Sequence, residues 1–160
     1  MTNKALVVID LQNDITKNYR EIIDTVNKAI DWAVENEIEV VYIKHNNLSA
    51  GTRTFKSDTR GADFVDELKI VSNNIFVKTK SNALTSEDFS DFINENNITE
   101  FYITGADATA CIKSICYNMA KLGYSVNVFS DCITSHDKKK LCEMFKYYTD
   151  KGCTVTKFNK

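Results

Sequence analysis

Short apolar runs rich in β-branched residues alternate along this chain with longer segments in which apolar positions recur every three or four residues. The short runs are typical of buried strands, and the longer spacing is typical of helices with one buried face. Strands and helices that alternate in this way build a parallel sheet covered by helices. The pattern predicts strands at 5–9, 39–44, 75–78, 100–105, 125–130 and 154–158, and helices at about 19–36, 86–96, 109–122 and 137–151.

Local signals support several of these boundaries. Ser86 stands before two acidic residues, as expected at the start of a helix, and Gly123 and Gly152 fall where helices should end. The polar segment at 46–62 contains two glycines and lies between the second and third strands. It predicts a loop over the cleft and is a candidate substrate lid.

Composition narrows the class of protein. A chain of 160 residues fits one domain, here residues 1–160, and 43% hydrophobic residues are enough for a sizeable core. A net charge of −2 and scattered lysines give no basic surface, so we expect no nucleic-acid partner. The first apolar run is too short for a signal peptide or a membrane helix, and we expect a cytoplasmic protein without membrane contact.

The cysteines do not predict a disulfide scaffold or a zinc site. There are five, an odd number, and no two have the Cys-x-x-Cys spacing. We expect Cys116, Cys132, Cys142 and Cys153 to be reduced and buried. Cys111 is different, because it follows a strand and opens a predicted helix, where the helix dipole favours a thiolate.

Two further reactive residues end strands. Asp10 follows the first strand, and Lys78 closes the third, although Lys80 is a nearby alternative. In a parallel sheet, ligands gather outside the carboxyl ends of the strands, so an acid, an ammonium and a thiol can meet there. Taken alone, an Asp at the position of Asp10 is more often a solvated turn residue or a cap, and either lysine could be a surface residue.

Four blocks of sequence carry a resemblance to a known family. They are Val8-Ile9-Asp10-Leu11-Gln12-Asn13-Asp14, Val77-Lys78-Thr79-Lys80-Ser81, the segment from Gly105 to Cys111, and the segment from Gly123 to Asp131. With them the chain resembles, from about Ala5 to Ser135, the isochorismatase-like cysteine hydrolases, which include nicotinamidases, carbamoylsarcosine amidohydrolases and ureidoacrylate hydrolases. The resemblance implies a three-layer α/β/α, Rossmann-like domain, with a mainly parallel six-stranded sheet in the order 3-2-1-4-5-6.

The resemblance also implies a chemistry. Asp10, Lys78 and Cys111 match the Asp-Lys-Cys triad of the family, which cleaves C–N bonds of small carboxamide or ureido compounds through a thioester. The backbone N–H groups of Asp107 and Cys111 would bind the oxyanion, and the bond between Ala106 and Asp107 would be cis. Several family members are homo-oligomers, so a dimer or tetramer is expected, with a small-molecule substrate and no cofactor.

Gln12 and His45 are candidate substrate-binding residues beside this triad. Gln12 could instead fix the loop after the first strand, and His45 could bond to backbone. Metal-bearing nicotinamidases carry an Asp-x-His and a further His, whereas this chain has only His45 and His136 and lacks that spacing. We therefore expect no metal ion.

Two positions depart from the family. Ala108 stands where the family often has Thr, and Asp107 is acidic where a small neutral residue is common. A carboxylate opposes a developing negative charge unless it points away. A non-catalytic small-molecule-binding protein on the same fold therefore remains an alternative. The resemblance itself leaves a second alternative, a vinyl-ether hydrolase of the isochorismatase type. A signalling receiver is disfavoured, because Lys78 stands where its phospho-acceptor Asp would be.

Overall fold

A computed structural model describes residues 3–13, 19–46 and 59–159. Its six strands form one sheet in the order β3-β2-β1-β4-β5-β6, and every neighbouring pair is parallel. The predicted fold class and strand order are therefore confirmed. The strands are β1 (Lys4–Ile9), β2 (Glu39–His45), β3 (Ile75–Lys78), β4 (Glu100–Ala106), β5 (Ser125–Thr134) and β6 (Thr154–Thr156).

Among the described residues, four α-helices pack on the sheet, together with three short 3-10 helices at Arg20–Ile22, Arg60–Ala62 and Ala83–Thr85. The α-helices are α1 (Ile23–Glu35), α2 (Glu87–Glu95), α3 (Cys111–Lys121) and α4 (Lys138–Asp150). The cap predicted at Ser86 is present, since its side chain accepts a hydrogen bond from the N–H of Phe89. Asp137 caps α4 by accepting from the N–H of Lys139.

The core has two halves because β1 is buried on both faces. Leu6 and Val8 point into the layer that α1 covers, whereas Val7 and Ile9 point into the layer shared by α2, α3 and α4. This explains why β1 reads as a continuous apolar run and not as an alternating one. The central position of β1 brings Asp10, which follows it, to the middle of the sheet edge.

β5 is longer than predicted. The expected end at residue 130 is wrong, because the register with β4 shifts between Ile103 and Gly105 and the strand resumes beyond the irregularity, with Ile133 opposite Gly105. Asp131 lies in the irregular part, and its carboxylate accepts hydrogen bonds from the N–H groups of Phe158 and Asn159. The N–H of Phe158 is thus bonded to a side chain and not to the backbone of β5, and β6 ends at Thr156 and not at 158.

Two other predictions concern the buried cysteines and the loop at 46–62. Cys116, Cys132 and Cys153 are buried as expected, but Cys142 is exposed, because α4 turns Met144 and Tyr148 inward instead. Of the candidate lid at 46–62, residues 47–58 lie outside the described residues.

In the part of the chain described, no helix is both long and apolar enough to cross a membrane.

Candidate active site

Four polar side chains converge at the carboxyl ends of adjacent strands. Asp10 directly follows β1, His45 ends β2, Lys78 ends β3, and Cys111 is the first residue of α3, which follows β4. The order of the sheet makes these four strands neighbours, and His45 and Lys78 are register partners. The three reactive residues predicted from sequence therefore meet in one place.

Lys78 is the centre of this group. Its Nζ lies 3.1 Å from Oδ2 of Asp10 and 3.4 Å from Sγ of Cys111. The side chains of Lys78 and Asp10 are 0% and 2% exposed, so both charges are out of water and depend on each other. Lys80, the alternative considered above, is exposed.

His45 supplies a third acceptor for the same ammonium, at 2.8 Å from Nζ to Nδ1. An ammonium has three protons and no lone pair, so Nδ1 must accept this bond. His45 is then a neutral imidazole with its proton on Nε2. The three protons of Lys78 thus meet one carboxylate, one imidazole and one sulfur, which fixes the ammonium in position.

The environment of Cys111 differs from the sequence prediction. Burial raises the pKa of the Cys111 thiol to about 12, and the negative charge of Asp10 adds to the increase, while Lys78 opposes it. The expectation that the helix start would favour a thiolate in the resting protein is therefore wrong. Desolvation disfavours the charged form, and together with the charge of Asp10 it outweighs the opposing effect of the Lys78 ammonium.

Asp10 can accept the thiol proton. Its Oδ2 is bonded to Lys78, whereas its Oδ1 is buried and accepts no hydrogen bond from the described part of the chain. The backbone of Asp10 has a φ of +57°, a left-handed conformation that Asp tolerates better than most residues. Its N–H is held by the carbonyl of Ile43 at 3.0 Å, which ties the carboxylate to β2.

The turn before Cys111 leaves two backbone donors unused. The carbonyl of Asp107 accepts from the N–H groups of Ala110 and Ile112, both at 3.1 Å. Ala108 is held from both sides, by the carbonyl of Thr134 at 2.9 Å and by the hydroxyl of Tyr148, which donates to its carbonyl. Within residues 3–13, 19–46 and 59–159, no hydrogen bond uses the N–H of Asp107 or of Cys111. The bond between Ala106 and Asp107 is cis, as expected.

The Asp107 carboxylate is engaged by other residues. Oδ1 accepts from the N–H and the hydroxyl of Thr109, both at 2.9 Å. Oδ2 accepts from the hydroxyl of Tyr19 at 2.8 Å and bonds to the backbone N and Nδ1 of His136 at 3.2 and 2.7 Å. Burial alone would raise the pKa of Asp107, but the hydrogen bonds from Thr109, His136 and Ser135 outweigh it and hold the pKa well below its usual range.

Gln12 supports the site through hydrogen bonds to the backbone of His45 and Ala62. It is fully buried, and its Nε2 donates to the carbonyls of His45 and Ala62 at 3.0 and 2.7 Å. Its Oε1 accepts from the N–H of His45 at 2.9 Å. The amide therefore joins the end of β2 to the segment after residue 59, and its burial differs from the exposed position expected of a substrate contact.

The sequence interpretation assigned neither Tyr19 nor His136 to the site. Tyr19 carries no local signal, because it lies 88 residues from its partner Asp107. For His136 the only sequence signal was its position before α4. As to metals, no group of three His, Cys, Asp or Glu side chains suited to a metal ion occurs in the ranges described.

A groove of about 420 Å³ lies at the opposite end of β2. Its lining includes Glu39 and Val40 at the start of that strand, with Val34 and Val71 beside them. None of the reactive residues above borders it. Ligands of parallel sheets bind at the carboxyl ends of strands, so we assign the reactive site to Asp10, Lys78 and Cys111 and not to this groove.

Comparison with known proteins gives the same assignment of fold. The family model described as Isochorismatase domain matches residues 4–159. No curated protein matches the chain.

Three solved structures illustrate the similarity. An isochorismatase family protein from Desulfovibrio vulgaris has a TM-score of 0.91 at 17% identity, covering 98% of this chain and 95% of its own. The nicotinamidase of Bacillus subtilis has a TM-score of 0.87 at 19% identity, covering 98% and 100%. N-carbamoylsarcosine amidase from Thermoplasma acidophilum has a TM-score of 0.85 at 19% identity, covering 99% and 98%. At these identities the likeness concerns the fold.

Proposed function

The chain belongs to the isochorismatase family of hydrolases, and from this premise we propose that it cleaves a C–N bond of a small carboxamide or ureido compound through a thioester on Cys111. The observation that carries the proposal is the contact of the buried Lys78 ammonium with both the Asp10 carboxylate and the Cys111 sulfur. A thiol, a base and a cation in mutual reach are what nucleophilic acyl transfer requires.

The first step begins from a neutral thiol. Because burial and Asp10 raise the pKa of Cys111 to about 12, the proton leaves only as the sulfur attacks the substrate carbon. Asp10 takes that proton on Oδ1, the oxygen without a hydrogen bond among the described residues. Lys78, 3.4 Å from the sulfur, stabilises the negative charge that develops there.

The attacked carbonyl oxygen then carries a negative charge. The N–H groups of Asp107 and Cys111 are the donors we assign to it, since neither makes a hydrogen bond within the described ranges. Cys111 is also the first residue of α3, so the positive end of the helix dipole faces the same oxygen.

The second half of the cycle restores the site. Asp10 gives its proton to the leaving nitrogen, which departs as ammonia or an amine and leaves an acyl group on sulfur. The carboxylate then takes a proton from water as the water oxygen attacks the thioester carbon. The C–S bond breaks, the acid is released, and the proton returns to the thiol through Asp10.

We assign supporting roles to His45 and Gln12. His45 is half-buried beside the triad, and we propose that it contacts substrate while its Nδ1 orients Lys78. The full burial of Gln12 supports a positioning role in place of the substrate contact expected from sequence. We further propose a homo-oligomer, a dimer or tetramer, which light scattering would test.

Ammonia release tests the proposal directly. Nicotinamide and N-carbamoylsarcosine are natural first probes, because relatives of the same fold are named for acting on them. A broader set of primary amides and ureido acids follows, with intact mass after acid quench to detect an acyl group on Cys111. Ammonia release with an acyl adduct supports the proposal, whereas vinyl-ether turnover without an adduct supports the alternative chemistry.

Alkylation of Cys111 by iodoacetamide is expected to respond in opposite directions to its two charged neighbours. Asp10→Asn removes a negative charge that raises the thiol pKa, so thiolate forms at lower pH and alkylation at pH 8.5 accelerates about tenfold or more. Lys78→Met removes the cation that lowers the pKa, so alkylation slows by a similar factor. Peptide mass spectrometry from pH 7 to 10 gives the rate at Cys111.

Lys80→Met is the matched control for the lysine variant, because it removes an exposed ammonium two residues away. It should leave the alkylation rate unchanged. Slower alkylation in Asp10→Asn, or faster alkylation in Lys78→Met, would contradict the assigned electrostatics of the site.

A further inference from the structure

The turn from Asp107 to Cys111 carries the proposed oxyanion donors. The side chain of Asp107 connects this turn to two distant parts of the chain. Tyr19 reaches it from just before the Arg20–Ile22 turn, and His136 reaches it from the segment after β5. Both bond to Oδ2, while Thr109 holds Oδ1 from within the turn. These bonds thus tie Asp107 to the body of the domain through its side chain, while its own backbone N–H makes no hydrogen bond in the described structure.

Resting on the function proposed above, we propose that Tyr19, Asp107 and His136 form a positioning unit that sets the direction of the oxyanion-binding N–H groups. The three residues do not react. Tyr19 and His136 hold the Asp107 carboxylate, and through it the turn from Asp107 to Cys111, in the orientation that the transition state needs.

The geometry supports this role in two ways. A backbone donor stabilises an oxyanion only when its direction is fixed beforehand, and small displacements cost much of the rate. Five hydrogen bonds from Thr109, Tyr19 and His136 restrict the carboxylate, and its side chain is 10% exposed. The same bonds hold the negatively charged carboxylate in place, so it cannot rotate toward the oxyanion.

The rest of the turn is anchored independently. Thr134 and Tyr148 hold Ala108 through its backbone N–H and carbonyl. Loss of the Asp107 bonds would therefore leave Cys111 and α3 in place while loosening the peptide group at Asp107. This separation makes the role of the unit measurable apart from the role of the thiol.

The test compares two probes of Cys111 that differ in one respect. Pyridine-3-carboxaldehyde forms a thiohemiacetal: the sulfur bonds to the carbonyl carbon, the C=O π bond breaks, and the oxygen receives the electron pair and the thiol proton. That oxygen occupies the position of the oxyanion. Iodoacetamide alkylates the sulfur, releases iodide, and forms no such oxygen.

Asp107→Asn places an amide nitrogen where the carboxylate oxygens accept hydrogen bonds, and Tyr19→Phe removes one donor oxygen with little change in shape. We expect Asp107→Asn to weaken aldehyde binding about 30-fold or more and Tyr19→Phe about fivefold, in line with losses at oxyanion holes. We expect iodoacetamide alkylation at Cys111 to stay within about twofold of wild type in both, since no oxyanion forms. Carbon NMR of carbonyl-labelled aldehyde and peptide mass spectrometry give the two readouts.

Asp131→Asn is the matched control. Asp131 also accepts two backbone hydrogen bonds, but from Phe158 and Asn159 in the C-terminal segment. It should change neither readout. On a substrate found by the amide screen, Asp107→Asn should lower kcat with little change in KM, because the donors act mainly in the transition state.

Three results would overturn the inference. Unchanged aldehyde binding in both variants shows that the unit does not set the oxyanion donors, although the proposed function stands. Equal losses with both probes show a general structural role. A wild-type protein that forms no thiohemiacetal at Cys111, and acquires no acyl group there from any substrate found by the amide screen, overturns the proposed thiol chemistry itself, and the positioning role with it.

Discussion

Replacing Cys111 by alanine is expected to lower kcat for amide hydrolysis by at least about 10³-fold, to the background of the assay. The thiol supplies the bond that splits hydrolysis into two steps, and its sulfur lies 3.4 Å from Nζ of Lys78, which in turn contacts Asp10. Without sulfur, water would have to attack the amide directly, with only the oxyanion donors to assist. Ammonia release under single-turnover and steady-state conditions measures the loss.

Cys142→Ala is the control for this substitution, because Cys142 is a free cysteine exposed on α4, away from the site. It should retain wild-type turnover, and circular dichroism should show both variants folded. Substantial amide turnover by Cys111→Ala would exclude the thioester mechanism. Turnover of a vinyl ether by that variant would favour the isochorismatase-type alternative.

Replacing Gly105 by alanine is expected to destabilise the fold by more than about 4 kcal/mol, a loss typical of severe core disruption. Gly105 has a φ of +115°, and a Cβ there would lie 2.1 Å from the carbonyl oxygen of Ile9. Ile9 and Gly105 are register partners in the two central strands, so neither backbone can move without opening the sheet. Urea unfolding followed by circular dichroism gives the free energy.

Gly123→Ala is the matched control for backbone strain. Gly123 also has a positive φ, +89°, but a Cβ there meets no atom within 4 Å. Its cost should be about 1–2 kcal/mol, the left-handed conformation alone. If the two variants were destabilised equally, the close approach of β1 and β4 at Gly105 would not be a constraint on the fold.

The reactive residues could be located from sequence because each stands at a local boundary and lies in a block that resembles a known family. Asp10, Lys78 and Cys111 each stand where an apolar run ends or a helix begins, and parallel strands bring such positions to one edge. The predicted strand order then made neighbours of the three positions, and the structure has that order. Their catalytic roles stay a proposal until the variants above are measured.

The direction of the Cys111 pKa shift could not be predicted from sequence in the same way. The start of α3 correctly located Cys111 but suggested the wrong direction for its pKa. Burial of the thiol depends on side chains from several elements, and no local pattern reports how much water they exclude. The same holds for Gln12, whose partners at His45 and Ala62 are 33 and 50 residues away.

By itself, the sequence determined the alternation of strands and helices and the parallel sheet, because each follows from spacing within a few residues. The resemblance to a known family then singled out three candidate reactive residues among those that stand at strand ends and helix starts. The tertiary structure alone decided the direction of the Cys111 pKa and the surroundings of Asp107. Beyond the irregularity in β5, the carbonyl of Thr134 accepts a hydrogen bond from the N–H of Ala108. His136, two residues later, bonds to the Asp107 carboxylate, and so does Tyr19, which lies 88 residues from Asp107 in sequence. Such contacts arise from packing between distant segments, and local periodicity carries no information about them.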